Sequence, residues 1–480
     1  MQLLLRQCGR EGRGLVADRP LPRGEALLQL PDSLLITPER AAEECCMAPL
    51  LRRLSPTSPS SSTATATTPP ALPLPLPEWS LLALYLAELR GRLAAGDRSS
   101  RWSPYVAMLP QRPGTVLEWP AKEARQLLRG SPLLRLADSI SSAAAASWAE
   151  LEPLIAQARA EGLIPAHVPM SKADLDWAFG VLLSRCIRLP GRGEVQVLAP
   201  WADLLNHDVA ADAGCHLDWE PAARGGLGGL VLRADRPYAA GQQVFVSYGP
   251  KSSGELLLSY GFCPPPAANP HQDYKLRLAV DPATDPLAEL KTQALARHGL
   301  PPVLELPLKL EGLPEGLLQY LALITARPKV AQETFDLASL LFEEGTFPLL
   351  DGADTLEAAL RELAVRCTAA LKEYPTSMEA DQALAAGAVA AVANRPPRGP
   401  RRAAAAAPSP LPLPPPQPAS TSAGGADGVT LGTEDVSNSN LRAAAVAGIR
   451  VRERQILQRT QASSAAQLME VRRAARARRR

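Results

Sequence analysis

The chain has 480 residues, roughly three to five times the ~100 to 150 of a single domain, so two structural units with extra segments are expected. Apolar residues at 46% and charged residues at 21% are ordinary for a globular protein, but 48 prolines are about twice the usual ~5% and place low-complexity sequence within the chain. A net charge of +2 conceals a basic end, where ten arginines from Arg450 to Arg480 face only Glu453 and Glu470.

In chain order, the N-terminus carries Arg6, Arg10 and Glu11 and has no signal-peptide core, and no later apolar run approaches the ~18 residues that cross a bilayer. A soluble, unsecreted protein is expected. Residues 55–77 and 395–440 have a Ser/Thr/Ala/Pro composition that buries too little apolar surface to offset ordering, and both read as disordered insertions. Trp79, Leu82, Leu86, Leu89 and Leu93 recur at helical spacing until Gly96 and Asp97. Ser171 and Asp174 form a capping signal ahead of a helix expected over residues 175–189, which ends at Pro190-Gly191.

From there the pattern changes to short strands, at 195–198, 215–219, 230–234 and 244–248. Ser252 and Glu255 cap a short helix over residues 256–260, stopped by Gly261. Beyond Pro264 helical patterns dominate, at 287–298, 315–326, 334–343, 355–373 and 378–394, which predicts a second, mostly α domain. Residues 461–480 read as a basic tail, a solvated end that could touch nucleic acid or an acidic partner.

Arg185 leaves an otherwise apolar helix face, three residues after Leu182 and four after Val181. A buried cation needs an anion or strong acceptors; snorkelling to the helix edge or pairing with a structural carboxylate is the alternative. Trp201, Asp203, Asn206, His207 and Asp208 crowd polar groups around Leu204-Leu205, a density that favours a site, although a satisfied structural histidine is the ordinary reading. Tyr248 and Tyr260 each end an element just before a glycine, so two phenols can enter one pocket unless they are plain core tyrosines.

Other chemistries lack their signatures. Cys8, Cys45, Cys46, Cys186, Cys215, Cys263 and Cys367 form no C-x-x-C, and His207 and His216 stand nine apart, so neither a disulfide framework nor a metal site is expected. Gly12-Arg-Gly14 and the other glycine clusters give neither a dinucleotide fingerprint nor a P-loop, and no G-x-S-x-G elbow occurs.

Read in order, Glu11-Gly-Arg-Gly-Leu15, Trp102-Ser-Pro-Tyr105 with Leu109-Pro110, Ser184-Arg185, Pro200-Trp-Ala-Asp-Leu-Leu-Asn-His207, Gly241-Gln-Gln-Val-Phe-Val-Ser-Tyr-Gly249 and Glu255-Leu-Leu-Leu-Ser-Tyr-Gly-Phe262 closely resemble the SET-domain protein lysine methyltransferases. The resemblance is to the branch containing the Rubisco large-subunit methyltransferase. It spans residues 11–262 and continues more weakly through Tyr374-Pro-Thr376, Asp381 and Arg450-Val-Arg-Glu-Arg-Gln-Ile-Leu457. It implies an α+β fold: a SET domain over 1–262 of short strands threaded into a pseudoknot, with a helical insertion at 79–170. A helical substrate-binding domain follows over 263–460.

The resemblance further implies S-adenosylmethionine as methyl donor and a protein substrate; displacement at a sulfonium methyl by an amine needs no metal, and a monomeric chain with no membrane partner and no nucleic-acid partner is expected. By it, Glu11, Gly12, Arg13, Gly14 and Leu15 line the cofactor with backbone groups, Arg185 meets its carboxylate and also borders the substrate, and Asn206 and His207 hold the adenine. Tyr248 is the catalytic tyrosine, with Asp203 and Tyr260 near the target lysine. The family's usual Asn in the turn is replaced by Ser253-Gly254. No leader of the chloroplast kind is visible, which leaves chloroplast, cytosol and nucleus open. The rivals are a catalytically silent SET-like interaction module and, from the arginines alone, a nucleic-acid-associated protein.

Overall fold

The computed structural model describes residues 2–54, 74, 76–211, 217–221, 228–350, 353–393 and 439–478. The β part consists of short pieces. β1 (Leu3–Gln7) and β2 (Arg13–Ala17) pair antiparallel with Leu5 opposite Leu15. β3 (Ala26–Pro31) leads into an insertion of helices, after which β4 (Ile187–Leu189) and β5 (Val195–Val197) form a second antiparallel pair. β6 (Asn206–His207) is followed by β7 (Asp218–Glu220) and β8 (Gly229–Arg233), which complete a sheet in the order β3-β8-β7. β9 (Phe245–Val246) returns to pair with β6 in parallel. Alternate residues of these pieces, among them Leu3, Leu15, Leu28, Leu30, Leu230, Leu232, Val244 and Val246, share one core.

The insertion contains α1 (Pro38–Glu44), α2 (Ala48–Leu54), α3 (Glu78–Ala94), α4 (Ser103–Met108), α5 (Ala121–Leu128), α6 (Leu133–Ala160) and α7 (Lys172–Arg185). α3 is buried on nearly every side and packs Leu82 and Leu86 with Phe179 and Val181 of α7 in one core. Leu74 and Leu76 also pack against this core, so the segment expected to be disordered over 55–77 ends in anchored leucines; its residues 55–73 and 75 lie outside the described residues.

The capping box on Ser171 and Asp174 starts α7 as the sequence predicts, but the helix stops at Arg185 and not at 189. Cys186 is already extended, and the turn at Pro190–Arg192, closed by Gly193 at φ +76°, folds Ile187–Leu189 back as a strand against β5. Apolar spacing alone could not separate a helical Leu189 from a strand one. The strand expected over 244–248 is likewise trimmed to its two paired residues; of the one expected over 215–219, residues 215 and 216 lie outside the described residues, and the strand runs Asp218–Glu220, one residue past the expected end.

α8 (Ser253–Tyr260) opens on the capping box of Ser252 and Glu255. A side chain at Gly254 would place its Cβ 2.4 Å from Leu133 Cδ1, so glycine there lets α8 sit against the start of α6. The C-terminal unit holds α9 (Ala288–Arg297), α10 (Leu317–Thr325), α11 (Ala331–Phe342), α12 (Thr355–Glu373) and α13 (Met378–Ala393), within a few residues of the expected runs. It also contains an antiparallel pair absent from that reading, β10 (Tyr274–Ala279) with β11 (Val303–Leu308). Its signal was the alternation of buried Tyr274, Leu276 and Leu278 with lysine and arginine.

The arginine-rich end differs from expectation most. α14 (Ser439–Arg478) runs 40 residues, so the basic tail is helix as far as Arg478, and residues 394–438 lie outside the described set. Two causes combine. Leu441, Val446, Ile449, Ile456 and Leu457 bury the first half of the helix, and an Ala/Arg/Gln-rich continuation propagates an existing helix cheaply. Arg472 then pairs with Glu357 of α12 at 3.1 Å. Arg450 and Arg454 both clamp Asp381 of α13, at 2.7 and 2.8 Å, with all three side chains buried.

Glu453, also on α14, ties the two halves together. It accepts from Ser131 Oγ at 2.7 Å, just ahead of α6, and from Tyr374 Oη at 2.8 Å, just after α12. Burial pushes its carboxyl from 4.5 up to about 7. Between those values the folded chain holds a proton that the unfolded chain releases, so this group's contribution is full below about 4.5 and is lost as pH climbs through 7. Glu453→Gln should therefore flatten the fall in stability between pH 5 and 7, measured as urea midpoints; equal slopes for parent and variant would contradict the burial argument.

Candidate active site

Three distant segments meet where β9 threads the strand core. The Val244 N–H donates to Leu15 O at 2.8 Å on one side, and on the other Phe245 and Val246 stand in parallel register with Asn206 and His207. Trp201 sets up the approach. Its φ of +78° and ψ of −50° form a γ-type bend of the strained hand, which costs roughly 1–3 kcal/mol and starts the tight turn Ala202–Leu204.

Immediately after β9 lies a stack of rings. Tyr248 is stacked on His207 at a centroid distance of 5.0 Å and on Tyr260 at 4.9 Å. Phe262 closes the group at 6.1 to 6.4 Å from all three rings. Tyr260 arrives because α8 ends there, with Gly261 at φ +73° turning the chain. Burial pushes the Tyr248 phenol well above its usual value and that of Tyr260 up to about 12, so both are neutral O–H groups. The Tyr248 hydroxyl donates to Leu205 O at 2.7 Å, which leaves its oxygen lone pairs available.

The tautomer of His207 is fixed by geometry. The Tyr248 backbone N–H lies 3.1 Å from Nδ1 and can only donate, so Nδ1 is the acceptor and the ring proton is on Nε2. Val246 O, at 3.3 Å from Nδ1, is then a close neighbour with no proton between. Burial lowers the ring's pKa, and the buried Nε2 has no partner among the described residues.

Beside the rings is a buried charged group. Arg185 Nη1 donates to Asp203 O at 2.8 Å and lies 3.4 Å from Oδ2, and Tyr105 Oη donates to the same Oδ2 at 2.9 Å. The anion predicted for Arg185 is thus present as a structural carboxylate, the alternative partner that the helix face allowed. Burial pushes the Asp203 carboxyl above its usual range, opposed by Arg185 and Tyr105. Asp203 Oδ1 and Arg185 Nε are buried without partners among the described residues.

The glycine segment borders this arrangement. Gly12 has φ +77°, and a Cβ on Gly14 would sit 2.5 Å from Gln243 Oε1 and 2.7 Å from Asn206 Nδ2. Asn206 Nδ2 donates to Arg13 O at 3.3 Å, and Gln243 donates to Glu11. Leu15 is buried in the strand core with its carbonyl taken by Val244, so of the five expected residues it is the one held by packing. Arg13 donates to Met108 O at 2.6 Å. Among the described residues no cluster of His, Cys, Asp or Glu could hold a metal, and Cys8, Cys45, Cys46, Cys186, Cys263 and Cys367 are free thiols.

All the expected residues lie on these neighbouring segments. Tyr105, Gln243 and Phe262 were not singled out as site residues. Tyr105 reaches Asp203 across 98 positions, a separation that no local pattern encodes.

Residues 12–249 match the SET domain family and residues 282–457 match the Rubisco LSMT substrate-binding family. Over 386 residues the chain is 30% identical to the chloroplastic ribulose-1,5 bisphosphate carboxylase/oxygenase large subunit N-methyltransferase of Pisum sativum, covering 78% of this chain and 71% of that one. The chain belongs to the SET-domain protein lysine methyltransferases. A second relative, the chloroplastic fructose-bisphosphate aldolase-lysine N-methyltransferase of Arabidopsis thaliana, is 29% identical over 391 residues, with 78% and 71% covered. The fold of this SET-domain methyltransferase superposes on a crystal structure of the SET domain of LSMT bound to lysine and AdoHcy with a TM-score of 0.70, at 23% identity, covering 98% of this chain and 88% of that chain.

In this SET core the acceptor role of His207 Nδ1 carries a pH signature. Protonating that nitrogen breaks the Tyr248 N–H bond. The depressed folded pKa means that the stability from this contact is present above the unfolded value near 6.5 and is lost as pH falls through the folded one. Nitrogen-15 imidazole spectra should show His207 as the neutral Nε2–H tautomer at pH 7; a protonated Nδ1 would contradict the assigned geometry.

Proposed function

We propose that this enzyme transfers a methyl group from S-adenosylmethionine to the ε-amine of a lysine on a protein substrate, with Tyr248 at the reacting atoms. The observation that carries the reading is the position of Tyr248: half-buried against the strand core, stacked between His207 and Tyr260, with its proton committed to Leu205 O.

The residues fit the cofactor in three respects. The missing side chain at Gly14 gives room for the Asn206 amide to pack against the glycine segment, the buried Nε2 of His207 offers an unused donor, and Arg185 Nε offers a second one for a carboxylate. Asn206 and His207 hold the adenine in this reading, Glu11, Gly12, Arg13, Gly14 and Leu15 frame the donor, and Arg185 meets its carboxylate. When bound, S-adenosylmethionine supplies an electrophilic methyl whose bond to sulfur breaks as the bond to nitrogen forms, the sulfur keeping the electron pair.

The protein then has to position and desolvate. The amine attacks only after losing the proton it holds with an ordinary pKa of ~10.4, and a site walled by Tyr248, Tyr260 and Phe262 disfavours the ammonium. The lone pairs of Tyr248 Oη and the carbonyl of Leu205 stabilise positive charge spread over the methyl. Asp203 and Tyr260 border the lysine. The C-terminal helical unit presents the surface that docks the substrate protein.

The silent-module alternative makes a different prediction for one titration. Calorimetry of the full chain with S-adenosylmethionine should show one site, and Tyr248→Phe should keep that affinity and the fold. Its methyl-transfer rate should fall at least ~10²-fold, or ~2.7 kcal/mol, the scale for losing one preorganised polar group. Turnover close to the parent would return Tyr248 to a packing role.

A further inference from the structure

We propose that Tyr105 is a positioning residue for substrate recognition: its hydroxyl holds one oxygen of Asp203 so that the other is left to meet the ammonium of the arriving lysine. This inference rests on the lysine-methyltransferase reading above and adds to it a residue from the helical insertion, at the end of the Trp102-Ser-Pro-Tyr105 sequence.

Four facts support it. Tyr105 and Asp203 are both buried and joined by a 2.9 Å bond to Oδ2. Arg185 uses that same oxygen, at 3.4 Å, together with the Asp203 backbone carbonyl at 2.8 Å. Two donors therefore converge on Oδ2, while Oδ1 is buried with no partner among the described residues. A buried carboxylate oxygen without a donor costs free energy unless something cationic or protic completes it, and a lysine ammonium is such a group.

The carboxylate's surroundings on every side are those of a tuned anion. Arg185 of α7, Arg13 of β2 and the Tyr105 phenol of α4 favour its charge. Tyr248 is close enough to feel Asp203 and Arg185, and Cys186 and Asp203 in turn act on Tyr105. Burial opposes the charged form. The phenol's hydrogen bond is a donor that leaves no charge of its own beside the ammonium, unlike a second guanidinium, so it can orient the carboxylate without repelling the substrate. The amine still has to lose its proton after arrival, and the neighbouring Arg185 keeps Asp203 from holding it too tightly.

The test uses the full chain saturated with S-adenosylhomocysteine and the probe Nα-acetyl-lysine amide, followed by calorimetry from pH 5 to 8, where the probe's amine stays protonated. Binding should weaken below the pKa of Asp203. Tyr105→Phe should weaken it about fivefold at pH 7 and move the loss to higher pH, because the ionised carboxylate has lost a donor. Affinity for S-adenosylhomocysteine and the melting temperature should stay close to the parent.

A fluorotyrosine at position 105 preserves the fold and donates more strongly, and should move the loss to lower pH. In an Asp203→Asn background, Tyr105→Phe should have no further effect on probe affinity. Unchanged pH dependence in both the phenylalanine and fluorotyrosine forms, or additive losses in the double variant, would overturn the assignment. A parent chain that fails to bind S-adenosylhomocysteine would instead overturn the functional reading beneath it.

Discussion

The parallel register of two residues, Asn206 against Phe245 and His207 against Val246, is the constraint on which the site depends. A two-residue pairing cannot stand alone. It persists because Val244 donates to Leu15 and because Leu205, Val244 and Val246 are buried in the strand core. One further residue along, Ser247 leads to Tyr248, whose backbone N–H reaches His207, so the ring stack is an automatic consequence of the register. A slip of one position would reverse which side chains face the core and carry Tyr248 away from Leu205. Contacts between residues 15 and 244 span nearly the whole SET region, and closing such a loop makes the site a late, non-local product of folding.

The second organising feature is electrostatic. Arg185, Asp203 and Tyr105 come from α7, the turn after Trp201 and α4, and they meet with little exposure. Removing either charge of the Arg185–Asp203 pair leaves the other uncompensated, at a cost of roughly 3–5 kcal/mol, whereas the neutral Tyr105 phenol orients the pair and carries no charge of its own. The group therefore holds the helical insertion to the strands as well as bordering the site. Asp381 with Arg450 and Arg454 repeats the device in the C-terminal unit, where it fixes α14 to α13. Both are paired charges whose partners come from separate elements, so they specify how elements dock more than they add net stability.

Local chemistry was legible in the sequence to the extent that it was local. The capping boxes at Ser171 and Ser252 and the run of α12 stand where the residues put them. The short strands were harder: β4 was read as helix because Ile187–Leu189 fits either period, and β10–β11 was hidden among leucines that also suit helices. The helical extension to Arg478 was missed because composition says nothing of the packed first half from which the helix propagates. Of the site, Arg185, Asp203, Asn206, His207, Tyr248 and Tyr260 came from ordered motifs and from the polar density after Pro200. The pairing of Arg185 with Asp203, and the part of Tyr105 in it, required three-dimensional contacts.

The central claim, that these threaded segments form a site methylating a lysine nitrogen, is tested most directly by the identity of the methylated residue. The full chain, incubated with a methyl-labelled S-adenosylmethionine and a cell lysate, would be followed by complete acid hydrolysis and chromatography of the labelled amino acids. The account predicts label in Nε-methyllysine and its loss when Tyr248→Phe replaces the parent. Label in methylhistidine or methylarginine, or equal Nε-methyllysine from both proteins, would contradict it.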